Sequence, residues 1–121
     1  MDGNLREDIY RLHAGICKAL AHPKRLLLIN ELRDGSKCVQ ELAAALELSQ
    51  ANVSQHLAIL LRQEVVYAKR EGSMVYYRLA SPKIVQALDI LLGLLSEKLT
   101  EQAARGEALA AELRVGEESL T

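Results

Sequence analysis

A chain of 121 residues with a formal net charge of −1 is one domain, large enough for a core and small enough to gain from a partner. Half of it is hydrophobic, yet it holds no Trp and no Phe, so its core is built from Leu, Ile, Val and Ala, as in helical proteins. The near-zero charge excludes a general nucleic-acid coat, and two cysteines exclude a disulfide scaffold. The start, Met1 to Asp8, is charged and lacks the apolar stretch of a signal peptide. The longest apolar run, Ile90 to Leu95, is too short to span a bilayer. The expectation is a cytoplasmic protein with no membrane partner.

Leu5, Ile9, Leu12, Ile16 and Leu20 recur every three or four residues and predict an amphipathic first helix. His22-Pro23 interrupts it, and Pro23 suits the first position of the next helix, where its missing N–H costs nothing. The second helix runs through Arg25 to Ile29 and stops at Asp34-Gly35, with Gly35 as its left-handed cap. A third helix is expected from near Cys38 to near Leu46, and Ser49 caps a fourth.

On the fourth helix Val53, Leu57, Leu60 and Leu61 share one face and are assigned to the core. The opposite face carries Ala51, Asn52, Gln55, Ala58 and Arg62, with Ser54 and His56 between the two. Small Ala residues permit close approach to a groove, and Asn and Gln can each make paired hydrogen bonds to adenine. The bland alternative is an ordinary solvated face. The next segment, Val65 to Arg70, a turn at Glu71-Gly72-Ser73, then Met74 to Leu79, predicts a hairpin. In it Val75, Tyr77 and Leu79 face one way and Met74, Tyr76 and Arg78 the other.

Lys69, Arg70 and Arg78 stand where such a hairpin would meet phosphates, contacts that position a protein without reading sequence. Residues 50–83 carry five basic side chains against two acidic ones, and residues 96–121 three against six. A basic middle and an acidic end suit a protein that offers one face to phosphate. Helix, tight turn, helix and basic hairpin, in that order, make a winged helix-turn-helix. The predicted fold is therefore mainly α (α+β), with five helices and a two-stranded β-hairpin wing. Its expected partner is double-stranded DNA, contacted through Ser49, Gln50, Asn52, Ser54, Gln55, His56, Arg62, Lys69, Arg70 and Arg78.

Ser81-Pro82 opens a fifth helix, on which Ile84, Leu88, Leu91, Leu92, Leu95 and Leu99 form a stripe too broad for one small domain to hide. With Leu5, Ile9, Leu12 and Ile16 this stripe predicts a homodimer. Such a dimer presents two recognition helices about one duplex turn apart, matching a palindromic operator. Residues 1–103 are assigned to the DNA-binding and dimerisation domain. Residues 104–121 either extend the fifth helix or fray after Gly106, which costs about 1 kcal/mol inside a helix relative to Ala.

Four segments together resemble the ArsR/SmtB family of dimeric repressors: Lys18 to Leu26, Val39 to Leu42, Leu48 to Leu57 and Val75 to Leu79. The resemblance spans about residues 10–95. It implies a winged-helix homodimer on a palindromic operator, released by an inducer, with Gln50, Asn52, Ser54, Gln55 and His56 facing DNA. The departures concern the inducer site. Arsenic and cadmium sensors of the family carry Cys-x-Cys where this chain has Cys38 and Gln40. Against the family's zinc set on the fifth helix this chain offers Ser81, Lys83, Leu94 and Glu97, of which only Glu97 could ligate. The fifth helix also lacks the cysteine of the family's dithiol sensors, and Glu47 stands where Gly or Asn is common in the left-handed turn.

Cys38 replaces a capping Ser of many relatives, with Glu41 three residues on to complete a capping box. A thiol there feels the positive helix end and the neighbouring Lys37, which favours a nucleophilic, oxidisable or soft-metal-binding thiol. The alternative is a tolerated surface Cys. Cys17 lies beside the apolar stripe of the first helix and is expected to be buried and inert, with His13 one turn before it. A thiophilic metal site of Cys38 with Cys17 and His13 of the partner subunit, or a Cys17–Cys38 disulfide, both remain open. The expected function is a sequence-specific repressor released by an oxidant, a reactive sulfur species or a thiophilic metal. No other cofactor is expected. The alternative is a dimeric interaction module that no longer binds DNA. No phosphate loop, nucleophile elbow or paired-His motif supports an enzyme.

Overall fold

The computed structural model describes residues 2–120, and the side chains of residues 4–114. The first helix, α1, spans Asp2–Leu20 and the second, α2, Pro23–Glu31. His22 caps α2: its Nδ1 accepts the Lys24 backbone N–H at 3.1 Å, while Pro23 fills the first turn. The glycine cap expected at Asp34-Gly35 is not formed. The helix closes at Leu32 (φ −86°, ψ 2°), whose N–H returns to Leu28 and Ile29. Burial of Leu32 turns the chain inward there, and Gly35 lies beyond the cap with φ +149°.

Helix α3 spans Val39–Leu46 and α4 Gln50–Arg62. Both end in the same way. Glu47 (φ 55°) and Glu64 (φ 57°) take the left-handed conformation. The next residues, Leu48 and Val65, return their N–H groups to Ala43 and Leu60 at 3.0 and 2.9 Å. Glutamate in this position costs roughly 1–2 kcal/mol that glycine would not. Closing the carbonyls of both helices and burying Val65 offset that cost.

Strand β1 is Lys37–Cys38, β2 is Val66–Glu71 and β3 is Met74–Leu79. They form an antiparallel sheet in the order β1-β3-β2. The expected two-stranded wing thus gains a third strand. With only two residues, β1 has no periodicity by which a sequence could reveal it. As the central strand, β3 is shielded on both edges. Of its residues only Arg78 is exposed, so the predicted in-and-out alternation is blunted.

The core consists of Leu28, Ile29, Leu32, Leu42, Val53, Leu57, Leu60, Val65 and Val66. Leu61, assigned to it from the sequence, is 38% exposed. It follows Leu60 by one residue, which on a helix is a rotation of about 100°, so it falls on the flank. At Gly15 a Cβ would lie 2.9 Å from the Gln63 side-chain oxygen, the end of a flexible side chain that can move aside, so α1 passes near the end of α4 without requiring glycine there.

Ser81 accepts the Lys83 N–H and starts α5, Pro82–Leu120, which runs unbroken through Gly93 and Gly106. The chain forms two compact units, one up to Val85 and one from Gln86 onward. Among the described residues no helix is long and apolar enough to cross a membrane. Replacing the fully buried Leu57 by Ala is expected to cost about 2–5 kcal/mol in urea unfolding. Replacing Leu61 by Ala is expected to cost less than about 1 kcal/mol.

Candidate nucleic-acid interface

The buried seam of α4, Val53, Leu57 and Leu60, determines what the helix shows to solvent. Ala51, Gln55, Ala58 and Arg62 recur at i, i+4, i+7 and i+11 and form the outward ridge, all exposed. Ser54 and Gln50 are exposed beside them. The two alanines leave the ridge low at its middle, and Gln55 stands between them with both amide atoms free to bond a base edge. Ser49 caps the helix, its Oγ accepting the Asn52 N–H at 3.1 Å.

Two residues expected to contact DNA, Asn52 from the outward face and His56 from between the two faces, are turned toward the protein. Asn52 is half-buried, and its Oδ1 is shut off from solvent without a hydrogen-bond partner. His56 is half-buried against the His22 ring, with centroids 4.5 Å apart and planes tilted by 43°. Arg25 lies 3.3 Å from its Nδ1. Burial, and after it the charges of His22, Arg25 and Lys24, hold the His56 imidazole below the usual histidine range. Asn52 and His56 are four apart and share the flank where α4 meets its neighbours, which is why they depart from the ridge.

The hairpin splits its cations between two faces. Residues directly opposite in an antiparallel ladder point the same way, so Lys69, paired with Tyr76, shares a face with Arg78, paired with Tyr67. Arg70, paired with Val75, points to the other face. Arg78 lies over the Tyr67 ring at 5.0 Å, and Lys69 makes a loose 3.8 Å ion pair with Glu71 at the exposed tip. Among the described residues Arg62 and Arg70 hold no ion pair and keep their donors for an external anion.

Cys38 is 3% exposed and lies where β1 passes into α3. Glu41 accepts the Cys38 N–H at 3.3 Å. Hydrogen bonds from the Cys38 side chain and backbone hold the Glu41 carboxyl below the usual carboxylate range, and Lys37 adds to this. In the sheet Cys38 pairs with Tyr76, which pairs in turn with Lys69, so one row runs from the thiol to the wing. Cys17, expected to be buried, is exposed on α1. It sits beside the apolar stripe, as the sequence places it, but in one protomer nothing covers that side of the helix. Both thiols are free. Among the described residues of one protomer, no three His, Cys, Asp or Glu side chains gather into a metal-holding group.

A two-helix turn unit, a low outward ridge with a free Gln, and a sheet-backed basic hairpin define a winged helix-turn-helix DNA-binding protein. Comparison with known proteins agrees. The family model for bacterial regulatory proteins of the arsR family matches residues 22–68. The transcriptional regulator Rv0081 of Mycobacterium tuberculosis is 35% identical over 106 residues, 87% of this chain and 93% of the relative. Its crystal structure superposes with a TM-score of 0.70 at 33% identity, covering 78% of this chain and 96% of that one. The repressor SmtB of the same organism is 46% identical over 65 residues, 54% of this chain and 48% of the relative. The homodimeric winged helix-turn-helix domain Mb0332 of Mycobacterium bovis gives a TM-score of 0.71 at 28% identity over 78% of this chain and 87% of that one. The chain belongs to the arsR family. It is a DNA-binding transcriptional regulator of the ArsR/SmtB type and not an enzyme.

Two expectations test the local chemistry. Mass-resolved labelling with a maleimide in native buffer should modify Cys17 rapidly and Cys38 much more slowly, at the rate of the local opening that uncovers it. Glu41 stabilises the fold above the ordinary carboxylate range and loses that contribution as pH falls through its lowered folded value. Glu41→Gln should therefore flatten the acid limb of a stability-versus-pH curve measured by urea unfolding.

Proposed function

We propose that this chain acts as a homodimer that lays α4 in the major groove of a palindromic operator and lets go when a thiol-directed signal reaches Cys38. The carrying observation is the position of that thiol. It is buried at the joint of β1 and α3, one helix before the recognition helix and one cross-strand row from the wing. An oxidant or reactive sulfur species that adds bulk or charge at Cys38 meets packed atoms on every side, so α3 or β3 has to move. Either shift changes the relation between α4 and the wing. Because Cys38 is buried, reaction requires a local opening, which gives the sensor a threshold.

Exposed apolar side chains support the dimer. Leu5, Ile9, Leu12 and Ile16 on α1, and Leu91, Leu92, Leu95 and Leu99 on α5, are all exposed in one protomer, while Ile84 and Leu88 are half-buried. Single copies rarely leave this much apolar helix in water. The homodimeric state of Mb0332 points the same way. Residues 104–120 prolong the helix of that interface. The site of action is the cytoplasm, where the DNA lies.

Within the DNA contact set, Gln50, Ser54 and Gln55 read base edges, while Arg62, Lys69, Arg70 and Arg78 take phosphates. Ser49 and Asn52 hold the start of the helix. A thiophilic metal is the second reading. His13 and Cys17 are exposed one turn apart on α1, the helix that dimerisation would bring to a partner. They are suitable donors to join Cys38 of the partner subunit, provided that thiol becomes accessible.

Fluorescence anisotropy with the DNA upstream of the protein's own gene tests these assignments. Reduced protein should bind tightly, lose affinity after mild thiol oxidation, and become insensitive as Cys38→Ser. Loss that tracks Cys17 instead moves the sensor to α1. Gln55→Ala should cost about 1–3 kcal/mol and relax preference at one base pair. Arg70→Ala should weaken all sequences alike and reduce the salt slope by about one.

A further inference from the structure

We propose that Arg25, His22 and His56 form an interhelical clamp that positions recognition helix α4, and that it holds only while His56 accepts a hydrogen bond from the arginine. This rests on α4 being the DNA-reading helix. Arg25, on α2, uses Nε to donate to the Ala19 carbonyl in the last turn of α1. A second donor, on Nη1, reaches His56 Nδ1 at 3.3 Å. The His22 ring packs against His56, and its own Nδ1 is fixed by the Lys24 N–H. One guanidinium therefore ties the end of α1 and the start of α2 to the middle of α4.

A guanidinium has donors only. The bond to His56 thus requires a lone pair on Nδ1, so the imidazole is neutral and carries its proton on Nε2. A proton added at Nδ1 would set donor against donor and cation against cation. The groups whose charges act on His56 are His22, Lys24 and Arg25, all from the start of α2, and no carboxylate is among them to favour the cation. Protonation therefore breaks the clamp and drives the ring away from α2.

His56 adjoins Gln55, which stands on the outward ridge, so release of the clamp shifts a base-reading side chain. The seam of Val53, Leu57 and Leu60 still holds α4 in the core. The clamp accordingly sets the attitude of the helix and not its existence, and variants at Arg25 and His56 are expected to fold. His56, counted from sequence among the DNA contacts, acts here as a positioning residue.

The sign follows from the coupling. His56 is held below the usual histidine range, so the clamped state is complete above about pH 6.5 and is lost as pH falls through the lower folded value. With this protein and operator duplex at constant ionic strength, affinity should fall severalfold as pH is lowered from 7.5 to 5.0, by at most about tenfold per pH unit for one proton. His56→Gln keeps an acceptor but cannot take the proton. It should bind within about threefold of the parent at pH 7.5 and show no acid step. Arg25→Gln should bind more weakly at pH 7.5 and also lose the step. An acid step that survives in His56→Gln overturns the clamp. So does an affinity that rises on acidification through His56, because the ring would then face phosphate. Histidine-ring 15N NMR without DNA separates this from failure of the DNA reading. His56 should show a single Nε2–H tautomer at pH 7.5 that Arg25→Gln abolishes, and a mixed tautomer in the parent sinks the proposal even where no DNA binds.

Discussion

The arrangement depends first on the apolar seam of α4. Val53, Leu57 and Leu60 are wholly buried, and their burial fixes the rotation of the helix about its own axis. Once that rotation is set, Ala51, Gln55, Ala58 and Arg62 must point outward, because helical geometry allows no other place for them. The same rotation consigns Asn52 and His56 to a flank. The chemistry of the outward face is thus a consequence of hydrophobic packing on the opposite side. A groove-reading helix needs this rigidity, since base edges are discriminated by hydrogen bonds with tight geometric tolerances.

Around that helix the chain places two joints of different character. At one, Cys38 ends the short strand β1 and begins α3, so a single buried residue belongs to both the sheet and the helix-turn-helix. At the other, Arg25 crosses from α2 to α1 and α4 through directional hydrogen bonds. As proposed, the first joint would respond to volume and charge on sulfur, the second to a proton on an imidazole. Neither lies on the DNA-facing ridge, so either can change the pose of that ridge without competing with DNA for the same atoms.

Apolar surface on α1 and α5 is a feature of equal weight. A solvent-exposed row from Leu5 to Ile16, and another from Leu91 to Leu99, represents burial that one protomer leaves undone. In a dimer this surface supplies both association energy and the spacing of two recognition helices. The exposed Cys17 and His13 lie on the same α1 helix, which is why their environment is a question about the assembly and not about one chain.

Much of this was legible in the sequence because it is periodic or local. Helical spacing marked α1, α4 and α5, Ser49 and Ser81 marked starts, and the alternation of Val75 to Leu79 marked the hairpin. Three features were beyond such reading. A two-residue strand has no period, so β1 appears only where β3 offers it an edge. The end of α2 was set by burial of Leu32, against the local preference of Gly35. The surroundings of His56 and Cys38 depended on neighbours distant in sequence: Arg25 is thirty-one residues from His56, and Tyr76 pairs with Cys38 across the sheet. Sequence by itself determined the order of elements and the face of α4 that stays outside the core, because both follow from helical and strand periodicity. Only the tertiary structure decided which polar side chains stay on the surface and which become internal fastenings, because burial is a property of what packs against a residue.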